Sequence, residues 1–253
     1  VLVKLDDEVV NRSDVRDVKI GETVWTDEAQ LKITATEMCY KELVLLHQST
    51  SGKVYAKNRV RVFAAPAIEK LPLKPLSSVP EALASLCTGT GPVHASCALD
   101  EETVEVLKKG GKVLYFPDAG PSELSLPFQV SKRMPGGGWM QPQTFFRTEG
   151  PGALLAGFPE TVHLELGLEG AKPAFFLRNL PAERFRSNAV MGSFAGWLHD
   201  CTCSVALFKV FDGELLFYGL STEKAATDAA SAWMLSTFAE NFGIHPMLDL
   251  GKP

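Results

Sequence analysis

No apolar run in the 253-residue chain approaches the ~20 residues that cross a bilayer, so no transmembrane helix is expected. The opening stretch VLVKLDDEVVNRSD lacks the basic and apolar zones of a signal peptide, and the absence of an initial methionine fits a fragment or a processed product. Positive charge is in short supply. The 25 Lys and Arg against 30 Asp and Glu give a net charge of −5, which argues against nucleic acid and anionic membranes as partners. Cysteine is sparse as well: the five residues Cys39, Cys87, Cys97, Cys201 and Cys203 cannot all pair, and their spacing matches no zinc ribbon or finger. Thiols that are mostly buried are expected. Cys201 and Cys203 would share one face of a strand without closing a bridge, and a metal site with nearby His199 would need two more ligands. No metal and no cofactor are therefore expected. The chain has no internal repeat and no low-complexity tract.

What is present is ordinary globular composition, 45% hydrophobic and 22% charged, enough for one large domain or two modest ones. Its grammar changes near residue 66. Before that point LKITATEM, ELVLLHQS and NRVRVFAAP alternate apolar and polar residues, with turn-like STSGK between the last two. This spacing predicts a small antiparallel β-sandwich over residues 1–66, with truncation left open by the weak strand signals around NRSDVRDVKIGET. Residues 67–80, within APAIEKLPLKPLSSVPEA, carry repeated prolines and read as an extended linker.

Residues 81–253 alternate helix and strand. VPEALASLC predicts a short helix and PVHAS a short buried strand. LDEETVEVLKKGG then offers Asp100 as N-cap, acids in the first turn, lysines in the last and Gly110 as a stop. KVLYF is a continuous apolar strand of the kind buried in parallel sheets. AFFLR, SVALFKVF and ELLFYGL supply further strands, the last two joined at Asp212-Gly213, a tight-hairpin signal. Thr222 is the expected cap of a closing helix with an apolar stripe of Ala226, Ala230, Trp233, Met234 and Phe238, ended by Gly243. The pattern predicts a mostly parallel, three-layer α/β domain with an antiparallel edge.

Ligands in such sheets sit beyond the carboxyl ends of the strands, which points to the loops after Ser96, Phe116 and Leu220. FPDAG after KVLYF has the spacing of a nucleophile elbow, with Asp118 in the exposed position. Acyl transfer needs a thiolate activated by histidine, yet SCALD around Cys97 lacks the flanking glycines of an elbow and no His-x-Glu pair occurs late in the chain. Retaining glycosidases need two carboxyls ~5 Å apart. Asp118 with Glu123, or Asp200 with Glu223, are candidates without a framework that fixes such a distance. Trp139 in PGGGWMQPQ could stack on a sugar or pack on its own core. Trp197 with His199, and Arg184 with Arg186, read as packing and solvated surface; Trp25 and His47 read as core or hairpin surface.

The stretches LDEETVEVLKKGGKVLYFPD, GGGWMQPQTFFRTEGPGALLAGFPE and VALFKVFDGELLFYGLS resemble the C-terminal glutamine-amidotransferase-like domain of bacterial glycoside hydrolase family 2 (β-galactosidase-like) proteins. Trp139, Gln143 and Ala153 to Pro159 match a tryptophan, a polar segment and a proline-alanine phrase in that family's order, although RTEGPG stands where a histidine often precedes that phrase. NRVRVFAAP similarly resembles the last strand of the Ig-like domain that comes before it. The resemblance implies a fold of Ig-like sandwich followed by a class I amidotransferase-like, flavodoxin-like domain. It also implies that the hydrolytic carboxylates lie in a separate barrel, so that this chain is a non-catalytic accessory region with an elbow whose nucleophile has been replaced. Its expected partners are the catalytic barrel of the parent polypeptide and a saccharide contacting Asp118, Trp139 and Gln143, with homo-oligomerisation open and an exported parent favoured. Two alternatives stand beside it: a small hydrolase or amidotransferase-like enzyme using Asp118 or Cys97, and a carbohydrate-binding module.

Overall fold

A computed structural model describes residues 1–15, 33–117, 129–132, 144–147, 150–160, 168–195 and 200–246. The chain divides into two compact units between Ala67 and Ile68, with Leu168 and Glu169 grouped with the first. It is mixed α/β, with an antiparallel sheet in one unit and a mixed sheet in the other.

In the first unit the strands β1 (Leu2–Leu5), β2 (Glu8–Arg12), β3 (Cys39–Gln48) and β4 (Val54–Ala64) form one antiparallel sheet in the order β2-β1-β3-β4. The β1–β2 turn places Asp6 at φ 52°, a left-handed conformation that aspartate tolerates. There the Asp6 carboxylate accepts from the Glu42 amide and from Lys41 Nζ, both at 3.0 Å, which ties the turn to β3 and holds the carboxyl below its usual range. On one face of the sheet Leu2, Val44 and Leu46 form a small buried cluster.

Two expectations shift here. Residues 33–38 of LKITATEM form no strand, and the ladder starts at Cys39. Of the expected sandwich the described residues form one sheet, in which β1 pairs with β3, Leu2 opposite Leu46 and Leu5 opposite Leu43, and residues 16–23 of the weak-signal stretch NRSDVRDVKIGET lie outside the described residues.

The second unit begins with β5 (Lys74–Pro75), α1 (Glu81–Ala84), β6 (Val93–Ser96), α2 (Glu101–Lys108) and β7 (Lys112–Tyr115). β8 (Gln129–Ser131), β9 (Thr144–Phe145), β10 (Phe176–Arg178), α3 (Ala182–Asn188), β11 (Ala189–Ala195), β12 (Asp200–Val210), β13 (Gly213–Tyr218) and α4 (Ala229–Ile244) follow. The sheet runs β5-β6-β7-β13-β12-β10-β8, with β11 beside β12 and β9 beside β11. β5, β6, β7 and β13 are mutually parallel and pairing turns antiparallel from β12 onward, so among the described strands antiparallel pairs outnumber parallel ones and the sheet is mixed rather than mostly parallel as expected.

The proline-rich segment does not behave as a free linker. Lys74 and Pro75 pair with His94 and Ala95 as the outermost strand, where a missing amide is tolerated, and Leu71, Leu73, Leu76 and Val79 are buried. Apolar residues between the prolines outweigh the prolines' reluctance to enter a ladder.

Side-chain alternation along β7 and β13 puts helices on both faces of the sheet. Val113, Tyr115, Leu215 and Phe217 pack with Leu107 of α2. On the opposite face Tyr218 meets Phe116 at 5.7 Å and Phe238 of α4 at 5.8 Å between ring centroids.

Asp100 caps α2, accepting from the Thr103 amide at 3.0 Å, and Gly110 follows the helix at φ 78°. The cap of α4 is Asp228, not Thr222: its carboxylate accepts from the Ser231 amide at 3.0 Å and from the Ser231 hydroxyl. Ala226 lies outside the helix and is exposed, while α4 runs through Gly243 and is buried on most sides. Residues 223–227 spend themselves on turns instead.

The β12–β13 hairpin also differs from its Asp-Gly signal. Val210 pairs with Gly213, so the two-residue loop is Phe211-Asp212, with Phe211 at φ 53°. Gly213 is a strand residue whose missing Cβ admits the end of α2: a Cβ there would lie 2.4 Å from the Gly111 oxygen and 2.7 Å from the Leu107 oxygen.

Candidate functional site

Parallel strands β6 and β7 end side by side, Ser96 opposite Tyr115, at the sheet edge where ligands of such folds collect. Three hydroxyls organise this end. Ser96, fully buried, has its Oγ 2.6 Å from the Ala98 oxygen, 2.8 Å from Thr103 Oγ1 and 2.9 Å from Ser78 Oγ. Thr103 Oγ1 donates to the Ala98 oxygen at 2.9 Å, and Ser78 Oγ accepts from the Cys97 amide at 3.1 Å. Next to this cluster Glu102 accepts from both the amide and the hydroxyl of Ser77, at 2.9 and 2.6 Å.

The sequence explains the arrangement locally. Asp100 starts α2 four residues after β6 ends, so Thr103, in the first turn, points back at the loop it has just left. The segment before α1 brings Ser77 and Ser78 alongside. Ser96 Oγ gives its one proton to the Ala98 oxygen and accepts from the Ala98 amide at 3.2 Å, with the Ser78 and Thr103 hydroxyls beside it. These bonds tie the loop of residues 97–100 to the end of β6.

Cys97 sits on this locked loop, half-buried. Cys87 differs from it: its thiol is buried, donates to the Leu83 oxygen at 3.4 Å, and is pushed above the ordinary range by burial, with Lys70 opposing. Beneath the site, on the α2 face of β6, burial and the Lys74 charge hold His94 below the usual histidine range, against a hydrogen bond to the Lys112 backbone and the charge of Glu102.

Asp118, Trp139 and Gln143 lie outside the described residues, as do Glu123, Trp25, Trp197 and His199. The described residues stop at Pro117, one short of Asp118, and the Phe116 amide donates to the Ser96 oxygen at 2.8 Å, so the strand leading to the elbow ends against β6. Glu223 is exposed, and Arg184 and Arg186 stand exposed on α3. His47 is exposed on β3 with its ring 5.4 Å from that of Tyr55. The Ala153 to Pro159 phrase serves packing. Leu154 and Leu155 are fully buried, Phe158 lies 4.6 Å from Phe238, and Asn241 of α4 donates to the Leu154 and Ala156 oxygens at 2.9 and 2.8 Å.

Among the described residues no group of three or more His, Cys, Asp or Glu could hold a metal ion, and no helix is long and apolar enough to cross a membrane. The hydroxyl cluster is the feature that reading the sequence missed. Its members are up to 25 residues apart, and only the serine pair before Val79-Pro80 marks its place. Neither protein-family models nor curated proteins give a match to the chain.

Proposed function

We propose that the chain is a non-catalytic accessory region of a glycoside hydrolase of the family 2 type. In this reading the first unit is an Ig-like connector and the second a degenerate amidotransferase-like, flavodoxin-like domain. The observation that carries it is the end of β6, where buried hydroxyls bond to one another and to the main chain rather than standing ready for substrate. Two further features support it. An antiparallel sheet unit precedes a mixed α/β unit in the order the resemblance implies. The first unit also exposes Val9, Val10, Leu45, Val54 and Tyr55, apolar surface suited to contact with the rest of a parent polypeptide.

The test is a panel of chromogenic glycosides and a titration with neutral and acidic oligosaccharides, followed by tryptophan fluorescence. The expected outcome is no turnover. Turnover abolished by Asp118→Asn would overturn the reading, and saturable saccharide binding lost in Trp139→Ala would recast the chain as a carbohydrate-binding module.

The half-buried position of Cys97 at the carboxyl end of the parallel strands favours one second reading, a thiol enzyme in its own right. Rapid alkylation of Cys97 at neutral pH would support that reading; slow alkylation removes it.

A further inference from the structure

Residues 74–79, KPLSSV, run along the carboxyl end of β6 between two anchors. Before them Leu71 and Leu73 are buried, and the Leu71 amide donates to the Leu86 oxygen at 2.7 Å. After them Pro80 stands at the start of α1. Within the segment Leu76 and Val79 are buried, while Lys74 and Ser77 are exposed. The remaining ties are polar. The Leu76 amide donates to the Ala95 oxygen at 2.9 Å, and Ser77 binds the Glu102 carboxylate through both its amide and its hydroxyl. Ser78 Oγ lies 2.9 Å from Ser96 Oγ and accepts from the Cys97 amide, so the segment closes over that end of β6.

His94 sits beside its first residue. Lys74 pairs with His94 across the parallel β5–β6 ladder, and His94 Nδ1 is buried with no hydrogen-bond partner among the described residues. Such a ring is tolerated while neutral. As imidazolium it would hold a buried, unbonded N–H and add a second cation next to Lys74. Burial and the Lys74 charge on β5 oppose that proton, whereas the Lys112 backbone on β7 and the Glu102 charge on α2 favour it, and the first two prevail. With β5 withdrawn, β6 loses its cover on that side and the ring meets water. The open form then takes up the proton that the closed form resists.

We propose that residues 74–79 are a strap that opens in acid and uncovers Ser96 and the loop of Cys97, with His94 as its switch. The anchors at Leu71, Leu73 and α1 stay in place, so the opening is local. Its proton comes from solvent and leaves again as pH rises, when Leu76 and Val79 return to the core. This goes beyond the accessory role and does not depend on it.

The experiment is amide hydrogen exchange on the whole chain from about pH 7.5 to about pH 4.5, with intrinsic exchange rates divided out, a span that takes in an ordinary histidine and a depressed one. As pH falls from the open-form value of ~6.5 toward the lower closed-form value, protection at Leu76, Ser77 and Cys97 should drop by up to about tenfold per pH unit. Val113, Leu114 and Tyr115 of β7 should keep theirs. In His94→Gln the drop should vanish. In Lys74→Gln, an exposed change, it should shrink, because the imidazolium no longer faces a like charge. Circular dichroism at neutral pH shows whether both variants are folded. The proposal is overturned by unchanged protection in acid, by an equal drop across β7, or by a drop of full size in His94→Gln. Should His94→Gln fail to fold, Lys74→Gln carries the test, and an undiminished drop there overturns the proposal.

Discussion

Lys112 Nζ lies 3.8 Å from the Glu214 carboxylate across the paired strands β7 and β13, with 1% of the Glu214 side chain exposed. The same ammonium donates to the Phe242 oxygen at 2.7 Å, the Gly243 oxygen at 3.4 Å and the His245 oxygen, and so neutralises the carbonyl end of α4. One cation thereby joins two strands to the closing helix.

Lys112→Met removes the donor shared by the Phe242, Gly243 and His245 oxygens at the end of α4, for an expected loss of about 1–3 kcal/mol by urea denaturation. Burial holds the Lys112 pKa below the ordinary lysine value, with Glu214 opposing. In the alkaline window below ~10.4 the unfolded chain thus binds more protons, and the Lys112 contribution to stability should rise with pH there. In Lys112→Met that alkaline rise should disappear; a rise of unchanged size would refute the assignment.

His94 carries the acid-side counterpart. Its folded pKa is depressed by burial and by Lys74, so its contribution is fully present above the unfolded value of ~6.5 and is lost as pH falls from there toward the folded value. Urea midpoints measured on both sides of this window should differ less in His94→Gln than in the parent. An identical slope would assign the pH dependence to other groups.

Gly213→Ala should destabilise by about 3 kcal/mol, because the new Cβ meets backbone atoms of Leu107 and Gly111 that cannot swing away. Gly52→Ala makes a useful contrast. Gly52 has φ 85° and open space around it, so backbone strain of about 1–2 kcal/mol is its whole cost. Equal losses at the two positions would show that close approach of α2 is not what Gly213 provides.

Thr103→Val keeps the shape of a buried side chain and deletes the hydroxyl that meets Ser96 and Ala98. The expected cost is about 1–2 kcal/mol. Loosening the loop should also speed alkylation of Cys97 relative to the parent. Unchanged thiol reactivity at reduced stability would mean that the hydroxyl cluster supports the core without positioning Cys97.

Residues close in sequence were legible wherever a signal of a few residues settles a conformation. Asp100 with its first-turn acids specifies the start of α2, and the apolar run of β7 specifies a strand buried on both faces. Alternation marks β3 and β4 as strands. The composition and the early cluster of alternating segments also separate an all-strand part from an α/β part.

The sequence by itself determined several local elements, α2 and strands β3, β4 and β7 among them, and the coarse class of β followed by mixed α/β, because capping and periodicity act within a few residues. Only the tertiary structure decided that Gly213 serves helix approach rather than the turn, that Asp228 rather than Thr222 caps α4, and that the proline-rich segment enters the sheet. Two of these depend on a partner far along the chain, Leu107 for Gly213 and the strand His94–Ala95 for Pro75, as does the pairing of Leu2 with Leu46. The cluster of Ser78, Ser96 and Thr103 belongs to the same class. A hydroxyl's role is set by which acceptor reaches it, and the chain's path through space, rather than the identity of its neighbours in sequence, brings that acceptor within 3 Å.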